Sequence, residues 1–295
     1  MTLSLSDLSD GLASLVERAG PSVLGIGGTT GIAWTSELAI TSASSLRCHG
    51  GASVEVRTAT GQTREGTLLG LDPASDLAVV RVADGGLTPI ARRDASKPAR
   101  VGEVVLALGR PGRAIRASQR IVGLVGKDVR ARRGLVLRDY VEMDRGFPDG
   151  FVGGPVVDAE GALVGLGTDR VIRGADLAMS PAELAPIVEQ IAQSGAPRLG
   201  WLGVAVQPAK LPERLAAEVP ALRGALVTAV EKGGPADLAG IVLGDVVVGL
   251  DERTIEGPDA LLALLRGLAG VTVTLRLVRA GAVTSVPATV GTRKA

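Results

Sequence analysis

Short apolar runs separated by turn residues fill the chain from about residue 21 to residue 180. Runs such as LAITSAS, ASVEVRT, LAVVRVA and EVVLALG are rich in β-branched side chains, and Gly, Pro, Asp and Ser punctuate them. This alternation is typical of many short antiparallel strands. The pattern therefore predicts an antiparallel β-barrel or sandwich over this part of the chain.

Two segments have helical spacing instead. In the first, residues 6–18, Ser4 or Ser6 is placed to cap the helix; in the second, residues 181–193, Ser180 has that place. The apolar face of the first helix is formed by Leu8, Leu12, Leu15 and Val16. We therefore predict one helix before the strand-rich region and one after it.

A second unit follows a linker of small and polar residues. Its strand-like runs GWLGVAV, GALVTAV and GDVVVGLDERTI are accompanied by a helical segment, PDALLALLRGL, and by a hairpin that turns at Ala280-Gly281. Roughly 95 residues with about five strands and two helices predict a small α+β domain.

Composition limits the function classes. The 295 residues are 46% hydrophobic with a net charge of +1, which excludes a disordered chain and fits about two domains. One cysteine, Cys48, and one histidine, His49, form neither an internal disulfide nor a zinc or iron site, so we expect no metal and no cofactor. The N-terminal residues lack the features of a signal peptide, and no apolar run approaches about 20 residues. These observations predict a cytoplasmic protein without a membrane span.

The order of the elements and several motifs resemble the HtrA (Deg) family of serine proteases, in which a trypsin-like double β-barrel precedes a PDZ domain. LDPASDLAVVRV is similar to that family's DPxxDLAVL segment, VGEVVLALGRPG to its VGxxVxAIGNPxG segment, and GWLGVAVQ to the opening GYLGVxxQ of its PDZ domain. The resemblance covers nearly the whole chain and implies a mostly β fold. The implied parts are an N-terminal helical segment (1–20), a protease-like domain (21–194), a linker (195–199) and a PDZ domain (200–292).

The resemblance places the three catalytic positions of the family on Ser44, Asp76 and Val152. The family's histidine motif TNAHVV corresponds to TSASSL at 41–46, and its nucleophile motif GNSGGP to GFVGGP at 150–155. Valine has no lone pair to attack a carbonyl, and a serine hydroxyl is no base near pH 7. Losing the nucleophile or the base of such a triad costs about a million-fold in turnover. We therefore expect no catalytic residue among these positions.

Two remnants of this site leave alternatives open. A displaced catalytic pair would use Ser42, Ser44 or Ser45 with His49, although none of these serines has a visible base partner in the family's geometry. The former oxyanion loop keeps its glycine-rich composition and is either a residual peptide- or carboxylate-binding niche or only a turn between strands. Its residues are Gly150, Phe151, Gly153 and Gly154.

Three of the five aromatic residues, Tyr140, Phe147 and Phe151, cluster in sequence around the same loop. One interpretation is that they fill the disused cleft. The other is that they form an exposed anchor for a partner, because aromatic residues dominate binding hot spots. We favour the filled cleft.

The PDZ-like segment keeps the pattern for peptide binding. In that fold the C-terminus of a peptide adds as a strand to the edge of the sheet. The resemblance implies a carboxylate-binding loop made of Trp201, Leu202, Gly203 and Val204. Arg198 adds charge nearby, and Leu261 and Leu265 belong to the facing helix. We expect a protein or peptide C-terminus with an apolar last residue as the ligand. A domain that only packs against the barrel is the alternative.

The charge distribution and the expected oligomeric state give weaker indications of the partners than the PDZ pattern does. Residues 92–138 carry thirteen Lys and Arg against three Asp and Glu. The stretch has no aromatic residue to stack on bases, so we favour solvated arginine-rich loops and expect no nucleic-acid partner. Family members are typically trimers held by N-terminal aromatic residues, but the first aromatic here is Trp34. An oligomer is compatible with the sequence, and the helix over 6–18 either contributes a contact or packs on its own barrel.

These inferences favour a catalytically inactive HtrA-like protein, a pseudoprotease, that holds peptide C-termini or modulates an active HtrA relative. An active serine endopeptidase of the HtrA type with a displaced nucleophile is the alternative from the enzyme class. A purely architectural subunit with a closed PDZ groove is the third.

Overall fold

The structure is a computed structural model that describes residues 4–46, 52–131, 134–195 and 198–294. Cys48 and His49 therefore lie outside the described residues. The chain divides into two compact units. The first, the barrel unit, comprises Met1–Val129 and Leu137–Pro197, and the second, the PDZ unit, comprises Arg130–Val136 and Arg198–Ala295.

The barrel unit begins with helix α1, Leu5–Ala19. Ser4 Oγ accepts a hydrogen bond from the Asp7 amide (3.1 Å), and the Asp7 carboxylate accepts one from the Ser4 amide (3.1 Å), which is a capping box. Only Leu15 and Ala19 of the helix are buried, while Leu8 is 54% exposed. The apolar face that the sequence predicts is therefore buried only near the C-terminal end of α1.

Six antiparallel strands form the first closed barrel, in the order β1-β2-β3-β6-β5-β4. Their bounds are β1 Val23–Ile26, β2 Thr29–Ala33, β3 Leu38–Ser42, β4 Ser53–Arg57, β5 Thr63–Asp72 and β6 Leu77–Val82. Alternate side chains of these strands, such as Val54 and Val56 on β4, point into an apolar core.

A second closed barrel has the order β10-β11-β12-β9-β8-β7. Its strands are β7 Val104–Gly109, β8 Arg116–Arg130, β9 Val136–Met143, β10 Pro155–Val157, β11 Leu163–Thr168 and β12 Leu177–Met179. Helix α2, Pro181–Ser194, follows, and Ser180 caps it by accepting a hydrogen bond from the Glu183 amide. The helix ends at Gly195, whose φ of +77° suits glycine.

The PDZ unit has a sheet in the order β14-β15-β16-β18-β19, with β17 paired to β16, and a separate pair formed by β13 and β20. The strands are β13 Arg198–Trp201, β14 Val204–Lys210, β15 Arg223–Val230, β16 Val246–Leu250, β17 Arg253–Thr254, β18 Thr272–Arg279, β19 Ala282–Thr289 and β20 Gly291–Lys294. The helices are α3, Pro235–Leu238, and α4, Pro258–Leu265. The expected mostly β architecture, a double barrel followed by a small α+β domain, is confirmed.

Candidate functional site

Asp76 lies in the turn between β5 and β6 in a conformation that a non-glycine residue rarely adopts. Its φ is +56°, and the residue is 2% exposed. The side chain of Asp72 shapes the turn by accepting hydrogen bonds from the amides of Ala74 (3.2 Å) and Ser75 (3.3 Å). A strained backbone that its surroundings hold in place is typical of functional sites.

The carboxylate of Asp76 is fully engaged by hydroxyl and amide donors. Oδ2 accepts from Ser42 Oγ (2.8 Å) and from Thr168 Oγ1 (2.9 Å). Oδ1 accepts from the amide of Ser44 (2.8 Å). A buried carboxylate needs such donors, and the described part of the chain supplies three of them, none of which is an imidazole.

The position of Val152 lies next to the same cluster. A Cβ on the following residue, Gly153, would lie 2.7 Å from the amide nitrogen of Ser42, so the turn at 152–153 packs against the end of β3. Ser42 Oγ also lies 3.1 Å from Ser44 Oγ. The structure thus gathers Ser44, Asp76 and Val152 around Ser42.

The chemistry of this cluster differs from that of a proteolytic triad. Ser42 is buried and donates to a carboxylate, Ser44 is exposed, and neither hydroxyl has a described nitrogen base as a partner. Proton transfer from a serine needs a base of suitable pKa within hydrogen-bond reach. His49, which the displaced-pair alternative requires, lies outside the described residues.

The former oxyanion loop is held to strand β2 by its carbonyl groups. Thr29 Oγ1 donates to Val152 O (3.1 Å), and Thr30 Oγ1 donates to Gly150 O. Among the described residues, no protein acceptor pairs with the amides of Gly150 or Val152. The sequence did not reveal the role of Thr29 and Thr30, because the only feature it shows near them is a short connection between two strands.

Each of the three clustered aromatic rings lies on a glycine. A Cβ at Gly109 would lie 3.0 Å from the ring of Phe151, and one at Gly167 would lie 3.1 Å from the ring of Phe147. The ring of Tyr140 covers Gly126 in the same way. Phe151 is 4% exposed in the core of the second barrel, and the other two are half-buried. These contacts favour packed rings over an exposed anchor.

The PDZ unit presents β14 as an edge strand, and its one partner among the described strands is β15. Val204 and Val206 of β14 and Leu264 of the neighbouring α4 are partly buried and pack against the core, and the apolar surface between β14 and α4 is the groove. Leu261 and Leu265 are 1% and 4% exposed, so they support the groove from inside the core. This corrects the prediction for these two leucines, because helical spacing identifies an apolar face but not which residues reach the surface.

The predicted carboxylate loop has a geometry suited to that role. Gly203 has a φ of +77°, and no described acceptor pairs with the amides of Leu202 or Gly203. The Trp201 ring lies against Gly203, where a Cβ would be 3.1 Å from the indole. The side chain of Arg198 lies outside the described part of the chain, although its backbone belongs to β13.

The charge count over residues 92–138 overstates the exposed positive charge. Arg110 and Arg120 are 5% and 3% exposed and donate to backbone carbonyls. Arg93 pairs with Glu103 at 3.0 Å and with Asp158 at 3.7 Å. Burial and pairing thus remove several of the thirteen cations from the surface.

Comparison with known proteins agrees with this architecture. The family model for the trypsin-like peptidase domain matches residues 29–166, and that for the PDZ domain matches residues 226–279. The serine endoprotease from Yersinia pestis superposes with a TM-score of 0.74 over 96% of this chain and 98% of that chain, at 22% identity, which speaks for the fold alone. The HtrA-type protease AlgW with a tripeptide gives a TM-score of 0.71 over 96% of this chain and 97% of that chain, at 25% identity.

Curated relatives are similar over most of this chain. The probable periplasmic serine endoprotease DegP-like of Chlamydia trachomatis is 30% identical over 237 residues, which is 78% of this chain and 47% of that protein. The protein of the same name from Ectopseudomonas mendocina is 33% identical over 237 residues, 77% of this chain and 49% of that protein. The chain spans about half the length of these relatives.

A double barrel with a trypsin-like peptidase match, followed by a PDZ match, defines a protein with a trypsin-like domain and a PDZ domain. Together with the relatives, this supports assignment of the chain to the HtrA/DegP type of trypsin-like serine proteases with a C-terminal PDZ domain.

The prediction of a cytoplasmic location is wrong. The matched relatives carry names that place them in the periplasm. The prediction depended on the absence of signal-peptide features in the N-terminal residues. That absence does not determine the compartment. None of the helices in the described part of the chain combines the length and apolarity that a membrane crossing needs.

Proposed function

We propose that this chain is a non-hydrolysing member of the HtrA type, which binds the C-termini of proteins or peptides through its PDZ unit. The observation that carries the proposal is the site of Asp76, whose described side-chain donors are the hydroxyls of the buried Ser42 and Thr168, with no imidazole among them. The adjacent position of the nucleophile holds Val152, whose side chain has no nucleophilic atom.

The peptide-binding part of the proposal rests on the groove beside β14. An open strand edge supplies backbone hydrogen bonds to an added peptide strand. The unpaired amides of Leu202 and Gly203 suit a terminal carboxylate, and the apolar surface of Val206 and Leu264 suits an apolar last side chain. The ligand class is therefore a free C-terminus with an apolar final residue.

An active endopeptidase with a displaced nucleophile is the second candidate. The relatives are named endoproteases, and Ser42, Ser44 and Ser45 cluster beside the retained aspartate. A fluorophosphonate probe separates the two candidates, because it labels only activated serines. We expect no labelling of the wild-type chain; labelling that a single Ser42→Ala, Ser44→Ala or Ser45→Ala substitution removes would establish the second candidate.

The names of the relatives support a proposal for the biological setting. We propose that the protein acts in the periplasm, where it either holds client C-termini or modulates an active HtrA relative. We also propose that the protease-like domain comprises residues 21–194 and the PDZ domain residues 200–292. Fractionation of cells that produce the native chain tests the compartment. Recovery with the cytoplasmic marker alone would refute it.

A further inference from the structure

A chain of hydrogen bonds begins at the C-terminal end of α1 inside the barrel unit. Arg110 follows β7 directly, and each acceptor of its guanidinium within the described ranges is a backbone carbonyl. The acceptors are those of Val23 (from Nε, 2.8 Å), Gly20 (from Nη2, 3.3 Å) and Arg113 (from Nη1, 2.9 Å). Gly20 caps the C-terminus of α1, and its amide donates to Val16 O. The guanidinium is thus bound to the last turn of the helix.

The backbone of Arg110 continues the chain toward the former oxyanion loop. Its amide donates to Thr30 Oγ1 (2.7 Å), and the same hydroxyl donates to Gly150 O. Thr41 Oγ1 fixes the backbone of Thr30 by donating to its carbonyl (2.6 Å). The hydrogen bonds therefore run from α1 through Arg110 and Thr30 to Gly150 without a gap.

Arg110 depends strongly on these carbonyls. The residue is 5% exposed, it has no ion pair among the described residues, and burial lowers the pKa of its guanidinium. A buried charge that loses a hydrogen-bond partner incurs a large desolvation cost, so it moves to find another. Loss of the Gly20 carbonyl would therefore shift the guanidinium and, with it, the backbone that holds Thr30.

The seating of α1 is weak. Leu15 and Ala19 are buried, whereas Leu5 and Leu8 are 84% and 54% exposed, so the N-terminal half of the helix makes few contacts. An element with few buried apolar contacts opens at low free energy while the rest of the fold stays intact.

We propose that α1 is a detachable helix whose seating, transmitted through Arg110 and Thr30, fixes the conformation of the loop at 150–154. Release of the helix loosens the loop and with it the amides of Gly150 and Val152. The proposal concerns the conformation of the barrel unit and holds whether or not the chain hydrolyses peptides.

Hydrogen exchange of the full chain, read by mass spectrometry, tests the proposal. Leu15→Ala weakens the seating of α1, and Leu5→Ala at the exposed end of the same helix is the matched control. We expect Leu15→Ala to speed exchange both in 5–19 and in 150–154 by about tenfold or more, and Leu5→Ala to leave 150–154 unchanged. Thr30→Val, which removes the middle link, should speed exchange in 150–154 without affecting α1.

Strands β5 and β6 report on global unfolding in the same experiment. If Leu15→Ala leaves α1 seated, Leu15→Asp replaces it as the releasing substitution. If the amides of 150–154 keep their wild-type protection in a variant whose α1 exchanges freely, the proposal is overturned. Loosening of the loop only together with β5 and β6 would also overturn it, because the loop would then follow global unfolding.

Discussion

Ser42 Oγ, at the end of β3, donates a 2.8 Å hydrogen bond to Oδ2 of Asp76, in the turn before β6. Both residues are buried, at 0% and 2% exposure. A hydrogen bond to a charged acceptor is worth about 1.5–3 kcal/mol, so this pair stabilises the barrel unit. These hydrogen bonds support the proposal that the aspartate which the resemblance assigns to catalysis has a structural role in this chain.

Removal of the Ser42 hydroxyl should destabilise the barrel unit. Ser42→Ala leaves Asp76 with one donor fewer, and we expect a loss of about 1.5–3 kcal/mol in the free energy of unfolding. Urea denaturation measures the effect. The control is Ser45→Ala, since Ser45 Oγ makes only a 3.3 Å contact with Ser42 Oγ. Equal midpoints for Ser42→Ala and wild type would contradict the structural role.

The ring of Phe151 should behave as part of the core. Phe151→Ala opens a cavity in the second barrel, and we expect a loss of about 3–5 kcal/mol in unfolding free energy. The half-buried Phe147 is the comparison, and Phe147→Ala should cost clearly less. A change below about 1 kcal/mol for Phe151→Ala would show that the ring is not packed as described.

Peptide binding should depend on a free terminal carboxylate. A peptide with an apolar last residue should lose about tenfold to a hundredfold in affinity when its C-terminus is amidated, because the amides of Leu202 and Gly203 lose a charged acceptor. Val206→Asp should abolish binding, while Leu238→Asp, at an 81% exposed position, should not. Isothermal titration calorimetry measures both effects, and equal affinities of the free and amidated peptides would contradict the proposed carboxylate site.

The ion pair between Asp245 and Arg279 should give the PDZ unit an acid-sensitive stability. Burial opposes ionisation of Asp245, but hydrogen bonds from Arg279 and the Val242 amide, with the charge of Arg279, outweigh it and lower the pKa of the carboxyl. A lowered folded-state pKa adds stability that is present above the unfolded value of about 3.9 and lost as the pH falls through the folded value.

Asp245→Asn should remove that acid dependence below about pH 4 and cost about 1.5–3 kcal/mol near pH 7, because the partly exposed Arg279 loses its charged acceptor. Hydrogen exchange of β16 as a function of urea isolates the stability of the PDZ unit. The exposed Glu252→Gln serves as the control. An unchanged pH profile in Asp245→Asn would show that the pair does not contribute in this way.

Local signals in the sequence account for most of the elements. Ser4 and Ser180 cap the two predicted helices, and the hairpin turns at Ala280-Gly281, both with positive φ. The segment LPERLAAEV at 211–219, whose composition favours a short helix, forms only a 3-10 turn at Glu213–Leu215. Caps and turns act over a few residues, which is the distance over which sequence reasoning is strongest.

Contacts between distant segments account for what the sequence did not reveal. Thr30 meets Gly150 across 120 positions, and no local pattern marks that pairing. The charge count could not show that Arg110 and Arg120 are buried, since a buried arginine on backbone carbonyls has the same letter as a solvated one. The Ser42 hydrogen bond to Asp76 required the register of two strands to be known.

Hydrolysis of a fluorogenic peptide by the wild-type chain, beside a Ser44→His, Val152→Ser double variant, tests the central claim most directly. Asp76→Ala in the wild-type background controls for a contaminating protease. The account predicts no turnover above background by the wild type and measurable turnover by the double variant, since the substitutions restore the base and the nucleophile next to the retained aspartate. Turnover by the wild type that Asp76→Ala abolishes would contradict it.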